Sequence, residues 1–359
     1  MPADTLPPIR MLVLTLTGRC NFACRYCYAA EQDEADMTEE TAMAALNLAA
    51  EGGARFLLQF SGGEPLLRFP LIRSLVHEVE RRKLSAQMQI QTNGSLLTRD
   101  IARWLYDHNV GIGLSMDGKP SVNDKYRIAK DGSRASAGVA RGFAALQAEG
   151  IAAGLTCVVT SENAEKLDTI VDMAYFYGNV AQVGFDVLRE QGRGIGMKAP
   201  TREVMEKALY RTAERMKQFE KLTGRHVAFT QEQRVHQLVR TGNYEFPQCY
   251  AMNGEAAFVD VHGRIYACSS LMGFPKYQLG DVKQGRDPGK VRRVGHFIYH
   301  AMDACRHCDV FKECGGGCFS RWLRADGTVT RSDAECAMKQ FFIKKVHEEK
   351  QKSEFLPIE

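Results

Sequence analysis

Eleven cysteines, set far apart in three groups, constrain this 359-residue chain more than any periodicity does. Three stand at Cys20, Cys24 and Cys27, one at Cys157, and seven lie between Cys249 and Cys336. The N-terminus, MPADTLPPIR, has no basic stretch leading into an apolar run. No signal peptide is read there, and a cytoplasmic protein is expected. A reducing compartment does not convert thiols into a disulfide framework, so the cysteines must be ligands, nucleophiles or buried apolar residues. An apolar share of 45% and a charged share of 25% match a globular chain and exclude a disordered or fibrous one. No apolar run is long enough to span a bilayer, so no membrane partner is expected. The net charge of +4, with Lys and Arg scattered among nearly as many acids, argues against nucleic acid as a partner.

Up to about residue 225, β-rich apolar runs alternate with segments of helical period. The strands are expected at 11–16, 56–60, 88–91, 111–115, 155–159 and 180–187. Helices are expected at 39–51 behind Thr38 as a cap, at 71–82, at 99–108 behind Thr98, and at 134–149, 164–177 and 202–222. Six strands with crossover helices imply an α/β fold on a parallel sheet with right-handed connections. Near-continuous apolar strands imply that both faces are covered. The period leaves open whether the sheet is flat or curled into a barrel. The segment 231–240 bridges into a region of different texture. After Cys249 helical periodicity is expected to stop, giving way to short strands, glycine clusters and cysteines. A last amphipathic helix is expected at about 334–350, followed by a charged tail.

The first cysteines form C-x3-C-x2-C in LTLTGRCNFACRYCYAAE, directly after the first strand. Parallel α/β sheets put ligand sites at the carboxyl ends of their strands, and three thiolates on such a loop can face one point. A fourth is missing locally. Structural zinc usually takes four closed ligands, whereas a 4Fe-4S cubane on three cysteines keeps one iron open. Incidental buried cysteines are the plainer alternative. This segment resembles the cluster motif of radical S-adenosylmethionine (SAM) enzymes, in which the open iron chelates the amino and carboxylate groups of SAM. In that resemblance Tyr26 matches an aromatic position near the adenine, although an aromatic there would also serve an ordinary core. The second strand runs into SGGEP, where Gly62, Gly63 and Glu64 match the family's GGE motif. Glycines let backbone approach a ligand, and exposed carbonyls or Glu64 can accept from an ammonium group. Asn93, in the turn after strand three, also matches. The resemblance implies that Ser115 and Arg127, near GLSMDG and NDKYR, hold the SAM carboxylate, for which a guanidinium fork is suited.

The C-terminal seven read C-x13-G-x4-C, a gap, C-x2-C-x5-C-x3-C, a gap of 17 residues and a last C. FVDVHGRIYAC looks like a hairpin turning at His262 and Gly263, which would bring Cys268 back toward Cys249. Gly315 to Gly317 let the chain bend so that Cys314 and Cys318 can point to different sites. This region resembles the SPASM domain of peptide-modifying radical SAM enzymes. The implied fold is a partial (β/α)6 TIM-like barrel at 1–225, a bridging helix region at 226–248, a Cys-rich SPASM iron–sulfur domain at 249–345 and a charged tail at 346–359. By the same resemblance Cys305, Cys308, Cys314 and Cys336 bind an outer auxiliary 4Fe-4S cluster, and Cys249, Cys268 and Cys318 an inner one. The fullest form of the pattern has a further cysteine shortly before the position of Cys249. None exists between Cys157 and Cys249, which leaves the inner cluster's fourth ligand to another side chain, water or a substrate thiolate. A zinc ribbon is the competing reading, for which seven ligands are an awkward number. Cys157, inside an apolar strand, reads as a buried small hydrophobe.

The resemblance implies three 4Fe-4S clusters and reductive cleavage of SAM to methionine and a 5′-deoxyadenosyl radical that takes a hydrogen atom from substrate. That cleavage needs a low-potential donor, a flavodoxin or ferredoxin. The implied substrates are ribosomally made peptides or proteins. With its first strand at residue 11, the chain is expected to carry no N-terminal peptide-recognition domain, so leader binding falls to a separate partner or to its own surface. Sulfatase maturases place an aspartate just after the position of Cys268, where Ser269 and Ser270 stand here. The expected activity is therefore a thioether or carbon–carbon crosslink in a peptide, with formylglycine formation second. An iron–sulfur electron-transfer or zinc-binding module is the alternative from another class. Asp186, Arg189 and Glu190, near the end of the last strand, are candidates for catalytic contact with substrate.

Overall fold

The computed structural model describes residues 6–29, 33–241 and 249–354. Six strands, β1 (Met11–Thr15), β2 (Phe56–Ser61), β3 (Ala86–Thr92), β4 (Val110–Ser115), β5 (Ala153–Val159) and β6 (Val180–Val187), pair in parallel with their neighbours in chain order. The helices between them are α1 (Glu39–Ala50), α2 (Phe69–Arg81), α3 (Arg99–Asp107), α4 (Pro120–Tyr126), α5 (Ala135–Ala148) and α6 (Thr169–Tyr177). Thr38 and Thr98 cap α1 and α3 as expected, accepting from the N–H of Thr41 and Ile101. The expected helix at 164–177 begins as a 3-10 turn, Ala164–Lys166, before α6. The seven-residue α4 breaks no strong apolar period and was not expected.

The strands alternate more strictly than near-continuous apolar runs would. In β2, Phe56, Leu58 and Phe60 are buried while Leu57, Gln59 and Ser61 are partly exposed, and β3, β4 and β5 repeat the pattern. The buried set packs under the helices. The other set is polar and paired across strands: Gln89 donates to Gln59 at 3.0 Å and Gln91 to Ser115 at 2.8 Å. A Cβ on Gly113 would stand 2.4 Å from Oε1 of Gln91, so that glycine makes room for the ladder. Such an inner face lines a lumen, and the sheet is a partial TIM-like barrel.

Beyond β6 come α7 (Arg202–Thr223), β7 (Ala228–Phe229), which extends the sheet beside β6, and α8 (Thr230–Thr241). The C-terminal cysteine-rich region is joined to the barrel through the same sheet. Its β8 (Ala256–Val259) pairs in parallel with β1, Met11 opposite Ala256, on the edge away from β2. The expected hairpin follows: β9 (Arg264–Tyr266) runs antiparallel to β8, with Gly263 at φ +86° in the turn. The sheet ends on this side in β10 (Gln278–Asp281) and β11 (Gly285–Arg286), an 11-stranded sheet among the described residues.

Helical structure does not stop after Cys249. A 14-residue helix, α9 (Pro288–Ala301), is capped by Asp287 with proline at its first position. Two glycines and a run of basic residues obscure its period. Gly295 is needed because a Cβ there would lie 2.6 Å from the carbonyl oxygen of Met252. Three short turns, α10 (Asp303–Arg306), α11 (Phe311–Cys314) and α12 (Phe319–Trp322), then lead to α13 (Asp333–Glu354). This last helix packs on α7 and α8, with Arg202 donating to Gln340 at 2.7 Å and the Phe342 ring tilted against Phe229, 5.4 Å between centres. The helix continues past 345, so the expected charged tail begins inside α13. Among the described residues no helix is long and apolar enough to cross a membrane.

Candidate cluster and cofactor sites

The C-x3-C-x2-C loop, SGGEP, Asn93 and Ser115 stand at the carboxyl ends of β1, β2, β3 and β4. The loop after β1, which carries Cys20, Cys24 and Cys27, is fixed on three sides by backbone. Gly63 and Glu64 donate their N–H groups to the carbonyls of Thr17 and Arg19 at 2.8 and 2.9 Å. Ala23 and Arg25 donate to the carbonyls of Ile128, just after α4, and Tyr126, its last residue, at 2.7 and 2.8 Å. The segment after β6 closes the third side, where Arg193 Nε donates to the Cys24 carbonyl at 2.8 Å and Arg193 N to that of Cys27 at 3.0 Å. The three thiols are thereby presented from one loop. Burial pushes Cys20 up to about 12, eased only in part by the Phe22 amide, and burial likewise raises Cys24 against the pull of Arg127. Half-buried thiols of this kind suit a bound cationic centre, which supplies the positive charge that their thiolates lack.

The glycines of SGGEP were expected to admit a ligand, but here they admit the cysteine loop itself. A Cβ on Gly62, at φ +140°, would lie 2.4 Å from the Thr17 carbonyl oxygen, and one on Gly63 only 2.2 Å from that of Arg19. Gly63→Ala is therefore expected to cost about 1–3 kcal/mol by overpacking against main chain that cannot rotate away. A thermal melt of the variant checks this, and an unchanged midpoint would refute the contact.

Glu64 is fully buried, which raises its carboxyl above the ordinary range. Its oxygens accept from Thr92 Oγ1 at 2.6 Å, Asn93 N at 2.8 Å and Leu66 N at 3.1 Å. It thus straps the β2 turn to the β3 turn. Asn93 is held by Asn21 at 2.9 Å and leans on Cys20 Sγ at 4.0 Å. Ser115 accepts from Gln91 on the lumen face of β4.

Two residues past Ser115, Asp117 organises the far side of the cysteine loop. Arg127 forks onto it through Nε at 3.0 Å and Nη2 at 3.1 Å, the N–H of Val158 donates at 3.0 Å, and the Tyr26 hydroxyl donates as well. The guanidinium carbon of Arg127 also lies 5.6 Å from the centre of the Tyr26 ring. Tyr26 and Arg127, read separately from the sequence, share one buried carboxylate that periodicity could not reveal.

The C-terminal cysteines divide between two cavities. Cys305, Cys308, Cys314 and Cys336 line one of about 50 Å³, together with Glu335 and Lys339. Cys249, Cys268 and Cys318 line another of about 260 Å³, whose opposite wall is Thr15, Tyr28, Ser61 and Gly62. Gly315 and Gly316, at φ +66° and +87°, make the bend that sends Cys314 and Cys318 to different cavities. Gly317 donates its N–H to Cys305 Sγ at 3.3 Å. Cys157 lies fully buried in β5, apart from both sets.

The end of β6 and the residues after it meet this region. Asp186 pairs with Arg321 at 2.8 Å, and Arg321 and Arg189 hold its carboxyl below the ordinary range although burial would raise it. Arg189 stands 4.3 Å over the Tyr28 ring, donates to Ser269 at 2.9 Å and lines the three-cysteine cavity. Glu190 pairs with Arg324. Arg321 and Glu335 carry much of this architecture and had no signal in the sequence beyond being charged residues near cysteines, while Asp117 was marked only by its place in GLSMDG at the end of β4.

A model of the radical SAM superfamily matches residues 14–174. An uncharacterized protein of Methanocaldococcus jannaschii is 30% identical over 74% of this chain and 86% of its own length. The cysteine-type anaerobic sulfatase-maturating enzyme of Clostridium perfringens (strain 13 / Type A) is 24% identical over 87% of this chain and 89% of its own. The solved structure of anSMEcpe with bound AdoMet and Cp18Cys peptide shares the fold, with a TM-score of 0.77 at 19% identity over 97% of this chain and 99% of that one. The chain belongs to the radical SAM superfamily, as an enzyme that binds S-adenosylmethionine and a 4Fe-4S cluster.

Proposed function

We propose that this enzyme is a peptide maturase with three 4Fe-4S clusters, which oxidatively modifies a ribosomally made peptide and forms a thioether or carbon–carbon crosslink. In this reading Cys20, Cys24 and Cys27 hold the SAM-binding cluster within a barrel domain at 1–225. A bridge at 226–248 leads to the SPASM domain at 249–345 and the tail at 346–359. Cys305, Cys308, Cys314 and Cys336 hold the outer auxiliary cluster, and Cys249, Cys268 and Cys318 the inner one. The donor sets fit: four thiols around one cavity close a cubane, and three leave one position open. When bound, the first cluster and SAM supply a 5′-deoxyadenosyl radical for hydrogen-atom abstraction.

The chain's own residues orient and enclose. Tyr26 and Arg127, aligned by Asp117, flank the adenine and carboxylate ends of SAM, with Ser115 beside them and the backbone at Gly62, Gly63 and Glu64 near its ammonium group. Asn93 steadies the loop at Cys20. Of Asp186, Arg189 and Glu190, Arg189 lines the inner cavity, and it is the candidate to orient a substrate carbonyl or carboxylate there. Asp186 and Glu190 are committed to Arg321 and Arg324. The lumen and the C-terminal region keep bulk water from the reacting atoms. A flavodoxin or ferredoxin supplies the electron, and a separate protein or the enzyme's own surface recognises the leader.

One observation carries the reading: the three-cysteine cavity shares its walls with Tyr28, Ser61 and Gly62 of the SAM side, so an open ligand position there faces the substrate. Anaerobic reconstitution should give about twelve irons per chain, four for each cubane, and dithionite with SAM should yield 5′-deoxyadenosine. About eight irons or fewer, or no 5′-deoxyadenosine, would sink it. Formylglycine formation is the second reading, favoured by likeness to a sulfatase-maturating enzyme over most of the chain. Against it, Ser269 after Cys268 is bonded to Arg189 where a carboxylate base would be needed. Conversion of a sulfatase peptide by the reconstituted enzyme would decide for it.

A further inference from the structure

Glu335 has no exposed surface and stands immediately before Cys336 in α13. Its two oxygens share the backbone N–H of Cys318, at 3.0 and 3.1 Å. Trp322 Nε1 donates to Oε2 at 2.9 Å and Arg321 Nη1 to Oε1 at 2.7 Å. The side chain also lines the four-cysteine cavity. One buried carboxylate is therefore hydrogen-bonded to a residue of the three-cysteine set and covalently adjacent to a residue of the four-cysteine set. Its counter-charge is shared: Arg321 divides itself between Glu335 and Asp186 at the end of β6.

This arrangement acts on the reduction potentials of both sites in one direction. Hydrogen bonds to ligand sulfurs and nearby positive charge make a cluster easier to reduce, and nearby negative charge makes it harder. The amide of Cys318 is drawn onto Glu335 instead of toward sulfur, and the carboxylate itself adds negative charge in surroundings where charge is poorly screened. We infer that Glu335 is a positioning residue that holds both auxiliary clusters at lower potential and, through Arg321, links that setting to β6. The inference rests on the two-auxiliary-cluster reading above. Each couple is a one-electron change at one cluster, with no proton or other reactant moved.

The test is a potentiometric titration followed by electron paramagnetic resonance, on the anaerobically reconstituted full chain. Glu335→Gln keeps the shape and can still accept from Trp322 and Cys318 but lacks the charge. It should retain the wild-type iron content, move both auxiliary midpoints upward and leave the SAM-cluster midpoint in place. Glu335→Asp, with the charge restored, should move them less. Should Glu335→Gln lose iron, Arg321→Gln gives the opposite readout: with the carboxylate charge less compensated, the midpoints should fall. Unmoved auxiliary midpoints at full iron content, or a rise in Arg321→Gln, overturn the inference. A wild-type content of about eight irons per chain or fewer, two cubanes' worth, would instead remove the two-auxiliary-cluster reading beneath it.

Discussion

Alanine at Cys20, Cys24 and Cys27 together is expected to abolish 5′-deoxyadenosine formation while leaving about eight of twelve irons bound, the share of two cubanes. The loss should be complete, because these are the cysteines of the loop after β1 and the other seven ligand candidates line separate cavities. The variant should also stay folded. The loop is held by main chain to Thr17, Arg19, Tyr126, Ile128 and the Arg193 segment, and none of these bonds uses a thiol. Removing three half-buried thiols costs only the packing of small side chains. Iron assay, auxiliary-cluster absorbance and product analysis on one preparation separate the outcomes. Persistent SAM cleavage would refute the assignment of the first motif, and loss of all iron would mean that the three sites do not assemble independently.

The elements that could be read from the sequence are those whose cause is local. Thr38 and Thr98 each precede a periodic segment and each caps a helix. The turn at His262 and Gly263 needs a residue at φ +86°, and only a short hairpin joins the strands around it. The division of the C-terminal cysteines likewise follows from a local bend at Gly315 and Gly316. What stayed hidden depends on partners far along the chain. Nothing in AAFV says that β8 will lie beside β1, nearly 250 residues earlier by register Met11 to Ala256. The glutamines of β2 and β3 look like interruptions of apolar strands until Gln59, Gln89, Gln91 and Ser115 meet on one concave face. Glu64, matched by motif to an ammonium ligand, turns out to strap two turns together, because Thr92 and Asn93 arrive from the next βα unit. Buried acids such as Asp117 and Glu335 are the extreme case. Their role is defined by donors that only tertiary structure assembles, so residue type and spacing carry no trace of it.

Asp117→Ala should be the most destabilising single substitution near the first site, by about 3–5 kcal/mol, the range for removing one partner of a buried ion pair. The side chain of Asp117 is wholly buried and that of Arg127 is 7% exposed, so water cannot take the place of the lost carboxylate. Arg127 is also kept charged, since burial would lower its proton affinity but Asp117 raises it above the ordinary value. The truncated site must therefore hold an unpaired guanidinium, an unpaired Val158 amide and a Tyr26 hydroxyl without its acceptor. Asp117→Asn keeps shape and one acceptor, and should lose less. The diagnostic measurement is a double-mutant cycle by chemical denaturation: Arg127→Met in the Asp117→Asn background removes the orphan charge and should recover part of the loss. Additive losses would mean that the ion pair is not the source of the cost. The same variants probe function, because Asp117 fixes the two groups proposed to flank SAM. If Asp117 acts by aligning Tyr26 and Arg127, then Asp117→Asn should weaken SAM binding with the cluster iron intact. Unchanged SAM affinity in a folded, iron-replete Asp117→Asn would confine that carboxylate to the architecture of the loop.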